Sequence, residues 1–379
     1  MVEGLPAGLP ITMEEIQEEL ARRRLGFGRG PRMRFERDDV TILGGVRHGR
    51  TLGSPVAIEI GNTEWPKWEE EMSPAPGRTE KPLTKPRPGH ADLAGMQKYG
   101  FDDARDVLER ASARETAARV AAGTLAKALL AQLEVAVISH VVQLGPVVSK
   151  ADGRPLPEDL ETVDDSPVRC FDGDAEAAMV QEVKAAQAEG DSLGGVVEVL
   201  AYGVPVGLGS HVHWDRKLDG LLAQALMSIQ AVKAVELGEG FDVASRRGSQ
   251  AHDEIMWDAH ESAAASAAGD QRTGGYRRGS ARAGGIEGGI SNGEILVARV
   301  AMKPLSTLNR PVLRTVDVKT KEEAVSFKER TDVTAVPAMG VVAETMTSLV
   351  LAGEALRKFG GDSLAELLRN RDGYLASLR

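Results

Sequence analysis

The apolar positions in "TMEEIQEELARRR" are Met13, Ile16 and Leu20, a spacing that places all three on one helical face. Thr12 followed by Glu15 has the form of a capping box, and Gly26, Gly28 and Gly30 end the predicted helix. "DDVTILGGV" and "SPVAIEIGN" read as strands joined by "RHGRTLG". Residues 103–133 give the clearest helical pattern: Val120, Leu125, Leu129 and Leu133 form a stripe in an alanine-rich background. Small residues allow close packing on several sides, so this segment is expected to be a buried central helix, opened by the S-x-x-E pair Ser112 and Glu115. "EVAVISHVVQLGPVV" alternates like a strand, with His140 in a structural position, and a helix is expected near 174–188. "GGVVEVLAYGVPVGLGS" reads as a hairpin, "LDGLLAQALMSIQAVKAVELG" as one amphipathic helix, "EILVARVAMKP" as a strand and "GVVAETMTSLVLAGEALRKF" as a terminal helix. Long loops are expected over 64–85 and, as a mobile Gly-rich segment, over 242–283. The elements come in irregular blocks without βαβ alternation, which predicts an α+β fold, here a single domain over 1–379.

Composition narrows the function classes. A chain of 379 residues, 42% hydrophobic and 27% charged, has the balance of a soluble globular protein, and no apolar run approaches the ~20 residues of a membrane helix. One cysteine, Cys170, excludes an intrachain disulfide framework and fits a reducing cytoplasm. A net charge of −10 argues against general nucleic-acid binding, and 4% aromatic residues leave little for base stacking.

The positive charge is nevertheless uneven. Residues 22–37, "RRRLGFGRGPRMRFER", hold seven arginines, one acid and no lysine. A guanidinium fork matches carboxylate and phosphate, so an arginine cluster on an acidic chain suggests a small, highly anionic ligand; a solvated patch at a helix C-terminus is the plainer reading. "RPGHAD" (87–92) brings Arg87, His90 and Asp92 together around a Pro-Gly turn, either as ordinary loop polarity or as chemistry. Arg110 precedes a helix N-terminus, a natural anion site if buried. There is no P-loop, no G-x-G-x-x-G after a strand, no H-E-x-x-H, no C-x-x-C and no G-x-S-x-G. His211 and His213 alone are weak grounds for a metal, and no metal is expected.

"RPGHAD", "KYGFDDARDVLERASARET", "GDSL" after a helix, "RAGGIEGGISNG", "KPLST" and "RTDVTAVPA" occur in this order, and the assembly resembles the chorismate synthases of the monofunctional bacterial type along essentially the whole chain. The resemblance implies a β-α-β sandwich with a buried central helical layer. It also implies a lyase that removes phosphate and a ring proton from 5-enolpyruvylshikimate 3-phosphate to give chorismate, with reduced FMN. By position it puts substrate binding on Arg23, Arg29, Arg87, Arg110 and Arg330. Flavin binding falls on Arg110, Ala111, Ser112, Gln230, Ala231, Gly289, Lys303, Pro304, Leu305, Ser306, Thr307 and Arg330. His90 is implied to protonate the flavin or stabilise its reduced anion, Asp332 to assist proton removal, and Asp92 to orient its loop. Arg23 and Arg29 also match NADPH-contact positions, but a chain without a reductase domain should receive reduced flavin from an external reductase or flavin pool. A homotetramer is the expected assembly.

Two departures accompany the resemblance. Family members begin with a strand carrying G-E-S-H-G, whose histidine is implied to protonate the leaving phosphate; Met1 follows that point, so an extended active form is expected, with a catalytically impaired binding homologue as the alternative. Ala281 stands where asparagine is usual before "RAGG".

Overall fold

The computed structural model describes residues 1–30, 38–77, 79, 81–111, 113–151, 153–257, 273–326 and 332–378. Its first helix, α1 (Met13–Arg24), has both halves of the capping box: Glu15 N donates to Thr12 Oγ1 at 3.2 Å, and Thr12 N donates to Glu15 Oε2 at 2.7 Å. Ile16 and Leu20 are buried, whereas Met13 stays 42% exposed, so the buried stripe is one turn shorter than the pattern suggested. Strands β1 (Val40–Gly44) and β2 (Ala57–Ile60) pair antiparallel, with the small ribbon of Val46–Arg47 and Arg50–Thr51 between them in sequence. After α2 (Asp92–Tyr99), the long helix α3 (Ala113–Gln132) buries Val120, Leu125 and Leu129 as expected.

The main sheet contains β3 (Ala136–Leu144), β4 (Val147–Val148), β5 (Gly195–Tyr202), β6 (Val232–Leu237) and β7 (Leu296–Met302). Its order is β4-β3-β5-β7-β6, antiparallel throughout. Helix α4 (Gly173–Glu189) leads into β5, and α5 (Leu218–Met227) into β6. The chain closes with α6 (Val336–Phe359) and α7 (Leu364–Ala376). Helix α6 packs on β3 and β5 and against α3, while α1 and α3 meet β1 and β2 on their other side. Helices therefore lie between a large sheet and a smaller β layer, the α+β sandwich expected. Although α6 is long and apolar enough to cross a membrane, 78% of its most apolar window is buried inside the fold. Gly123 shows how close α3 and α6 come, because a Cβ there would collide with Thr345.

Three expectations fail for local reasons. The predicted hairpin at 194–210 is one strand: β5 already has β3 and β7 on its two sides, and Pro205 has no N–H to continue a ladder. The helix predicted over 218–238 stops at Met227, since Ala231 takes a left-handed φ of 65° and "VKAVEL" joins the sheet edge as β6. Within 242–283, Ile255–Trp257 pairs with Tyr276–Arg278 after two short helices; residues 258–272 lie outside the described set. Helix α7 was not anticipated, although Ser363 and Glu366 form a capping box that announces it.

Candidate active site

The turn at 87–92 is held by Asp92, which is fully buried and accepts from Arg87 N at 3.0 Å, Nε at 2.9 Å and Nη2 at 3.0 Å. Burial alone would push this carboxyl up, but the bonds from Arg87 outweigh it and hold Asp92 below the usual carboxylate range. Asp92 thus has the loop-orienting position expected of it. His90 lies half-buried beyond the turn, its Nε2 3.3 Å from Thr307 Oγ1 and its Nδ1 3.4 Å from Pro88 O. Burial, then the charge of Arg87, press its pKa below the ordinary histidine value, so the resting ring is neutral near pH 7.

The segment 303–307 closes against the same turn. Lys303 Nζ donates to Gly89 O, and Gly89 has a φ of +75° with so little room that a Cβ would sit 2.8 Å from Ser306 Oγ. Lys303 N in turn donates to Ala231 O at 3.0 Å, and Leu305 O accepts from Ser192 Oγ at 2.5 Å. Lys303, Leu305, Ser306 and Thr307 are half-buried and Pro304 is exposed. The fold therefore joins Arg87, His90, the 303–307 run and Ala231 into one group. Gln230 stands beside Ala231 with Nε2 donating to Glu115 Oε2 at 2.5 Å.

A second group surrounds α1. Arg23 is 4% exposed; its Nη2 donates to Asp38 Oδ2 at 3.2 Å and its Nη1 to Thr116 Oγ1 at 3.4 Å. Arg114 Nη1 donates to the other Asp38 oxygen at 2.6 Å, and its Nη2 to Gly61 O at 2.7 Å. Burial first, then repulsion from Arg29 and Arg114, lower the pKa of Arg23 against the pull of Asp38, yet a guanidinium stays charged. Asp332 accepts from Gly30 N at 2.7 Å with one oxygen and lies 3.1 Å from Arg29 Nε with the other. Among the described residues, Arg23, Arg29 and Arg114 thus gather around Asp38 and Asp332. Asp38 and Arg114 were missed by the sequence reading. Asp38 was read as the start of a strand, and Arg114 was hidden inside the "SARET" helix start.

Not every expected position joins these groups. Arg110 and Ala111 are exposed on the turn before α3, so the anion site there is open and not buried. Gly289 donates nothing to the cluster: its O accepts from Leu218 N at 2.9 Å, at the start of α5, while Gln230 follows the other end of that helix, about 15 Å along it. Ser112 and Arg330 lie outside the described residues. Beside Ala281, Asp253 accepts from Ser280 Oγ, from Arg282 N at 3.0 Å and from Ala283 N at 2.9 Å, so the loop is anchored without the usual asparagine. Among the described residues no three His, Cys, Asp or Glu side chains are grouped to hold a metal ion.

The family model described as chorismate synthase matches residues 1–356. The chain belongs to the chorismate synthase family. It is 58% identical to the chorismate synthase of Thermobifida fusca over 388 aligned positions, covering 100% of this chain and 95% of the relative. It is 60% identical to that of Frankia casuarinae, again with coverage of 100% and 95%. A crystal structure of chorismate synthase superposes with a TM-score of 0.77 at 38% identity, covering 99% of this chain and 93% of that one.

Proposed function

We propose that the protein catalyses the anti-1,4-elimination of phosphate and a ring proton from 5-enolpyruvylshikimate 3-phosphate to give chorismate, with reduced FMN as cofactor. The observation that carries this reading is the clustering of Arg23, Arg29 and Arg114, whose guanidiniums suit a substrate bearing two carboxylates and a phosphate. Arg23, Arg29, Arg87, Arg110 and Arg330 are proposed to bind that substrate.

The residues fit a flavin. Gln230 Oε1 is buried without a hydrogen-bond partner, and Lys303, Ser306 and Thr307 supply donors in one turn. Arg110, Ala111, Ser112, Gln230, Ala231, Gly289, the run Lys303 to Thr307 and Arg330 would hold the cofactor. Reduced FMN supplies, when bound, transient electron donation that eases C–O cleavage and is recovered as the C–H bond breaks. Held neutral by burial and by Arg87, His90 can take a proton when an anion raises its pKa, and can return it at Nε2. Asp332 keeps the Arg29 loop in place and is the carboxylate proposed to help remove the ring proton. The protein is proposed to act as one domain in the cytoplasm, as a homotetramer, with its flavin reduced by an external reductase or flavin pool.

The test is an anaerobic assay with the purified substrate. Chorismate and inorganic phosphate should appear in equal amounts with reduced FMN and not with oxidised FMN. Flavin binding without phosphate release would overturn the proposal.

A further inference from the structure

We propose that Glu115 and Arg119 are positioning residues that fix the polarity of the Gln230 amide, so that its carbonyl oxygen faces the cofactor site and accepts from a ring N–H. The inference rests on the flavin reading above and deepens it. Arg119 Nε lies 2.9 Å from both oxygens of Glu115, one turn earlier on α3, so both oxygens of that carboxylate are engaged as acceptors. Gln230 Nε2 approaches Glu115 Oε2 to 2.5 Å. The inverted amide would set oxygen against oxygen in a half-buried site, which leaves one orientation. Gln230 Oε1 therefore points away from Glu115, and it is buried with no hydrogen-bond partner. A buried acceptor in that state calls for a donor from outside the fold.

The backbone is locked as well as the side chain. Arg119 Nη1 donates to Ser228 Oγ at 2.7 Å and Nη2 to Ser228 O at 3.1 Å, clamping the turn that carries Gln230 two residues later. Ala231 follows in the left-handed region, and its O accepts from Lys303 N, tying this turn to the 303–307 run and, through Lys303 Nζ, to the His90 turn. One arginine thus sets both the position of the Gln230 backbone and, through Glu115, the direction of its amide. The ligand feature selected is a donor N–H on the cofactor ring system.

The test compares the parent with Glu115→Gln, which is nearly isosteric but offers its own NH2, so the Gln230 amide is free to invert. Anaerobic calorimetry measures dissociation constants for reduced FMN, reduced 3-deaza-FMN and reduced 5-deaza-FMN, each deaza analogue having C–H in place of one ring N–H. The parent should prefer FMN over one analogue by about tenfold, roughly the worth of one hydrogen bond left unmade, and Glu115→Gln should lose that preference. Gln230→Ala, which leaves the Glu115–Arg119 pair intact, should lose it too. Retention of the preference in either variant, or an equal loss of affinity for all three flavins, would overturn the inference. A parent that binds no FMN sinks the flavin reading and this inference with it, whereas a parent that binds FMN without distinguishing the analogues sinks this inference alone.

Discussion

Arg22 donates to Glu344 through Nη1 at 2.8 Å and Nη2 at 3.2 Å, in the middle of the helical layer. The carboxylate has no exposed surface and also accepts from Lys127 at 3.0 Å, Arg169 at 3.0 Å and Ser139 Oγ at 2.8 Å. Glu19 and Asp164 complete three acids against three bases. Burial would raise the Glu344 pKa, but Arg22, Lys127 and Arg169 together hold it well below the usual range. Arg23 is the next residue on α1, about 100° round the helix, so the bond that fixes Arg22 also fixes the direction in which Arg23 reaches Asp38.

Glu344→Gln should therefore cost more than one hydrogen bond. It leaves Arg22, Lys127 and Arg169 around a neutral amide with Glu19 and Asp164 as their remaining acids, and breaking a buried pair in this way typically costs about 3–5 kcal/mol. Urea unfolding of parent and variant measures the difference. A loss under about 1 kcal/mol would show that water or a rearranged Asp164 compensates the charge.

Arg114→Lys separates positioning from ligand contact. The parent guanidinium serves Asp38 Oδ1 at 2.6 Å and Gly61 O at 2.7 Å with different nitrogens, a fork that an ammonium lacks. With the charge kept and one bond lost, stability should fall by about 1–2 kcal/mol while substrate affinity stays within threefold. A tenfold weaker substrate complex at unchanged melting temperature would instead place Arg114 directly on the substrate.

His90→Ala should leave the fold intact, because a half-buried loop ring can be truncated without opening a core cavity. Turnover should drop about 10²–10⁴-fold, the usual range for a lost acid/base group. The pH profile of kcat/KM reports the free enzyme, so the parent should show an ionisation below the ordinary histidine value of about 6.5 that the variant lacks. Equal turnover at every pH would remove His90 from the mechanism.

The elements that were legible in the sequence are those whose signal is local. The Thr12–Glu15 box and the alanine-rich stripe of α3 each depend on residues within a few turns, and both stand as read. "VKAVEL" was misread because a short apolar run fits helix and strand equally, and only its pairing with β7 decides. The 87–92 turn was visible as a cluster because Arg87, His90 and Asp92 are adjacent in sequence. Asp38, Arg114, Glu115 and Arg119 acquire their roles from partners dozens of residues away, which a pattern along the chain does not encode.

Glu198 ties part of the stability to pH in the acid range. It stands in a cross-strand row with His140 on β3 and Arg299 on β7, on the sheet face turned from α6, and accepts from Arg154 at 2.7 Å and Arg299 at 3.0 Å. Burial would raise its pKa, but His140, Arg154 and Arg299 outweigh that and bring it to about 2. The folded value is thus depressed below the unfolded one, so the stabilisation is fully present above about pH 4.5 and is lost as pH falls through about 2. A shift of that size corresponds to roughly 3 kcal/mol. Glu198→Gln should be less stable at pH 7, with Arg154 and Arg299 left without their carboxylate, and should show a flatter loss of stability between pH 4.5 and 2. Denaturant midpoints measured across that window decide it, and parallel pH dependence in parent and variant would assign the acid transition to other carboxylates.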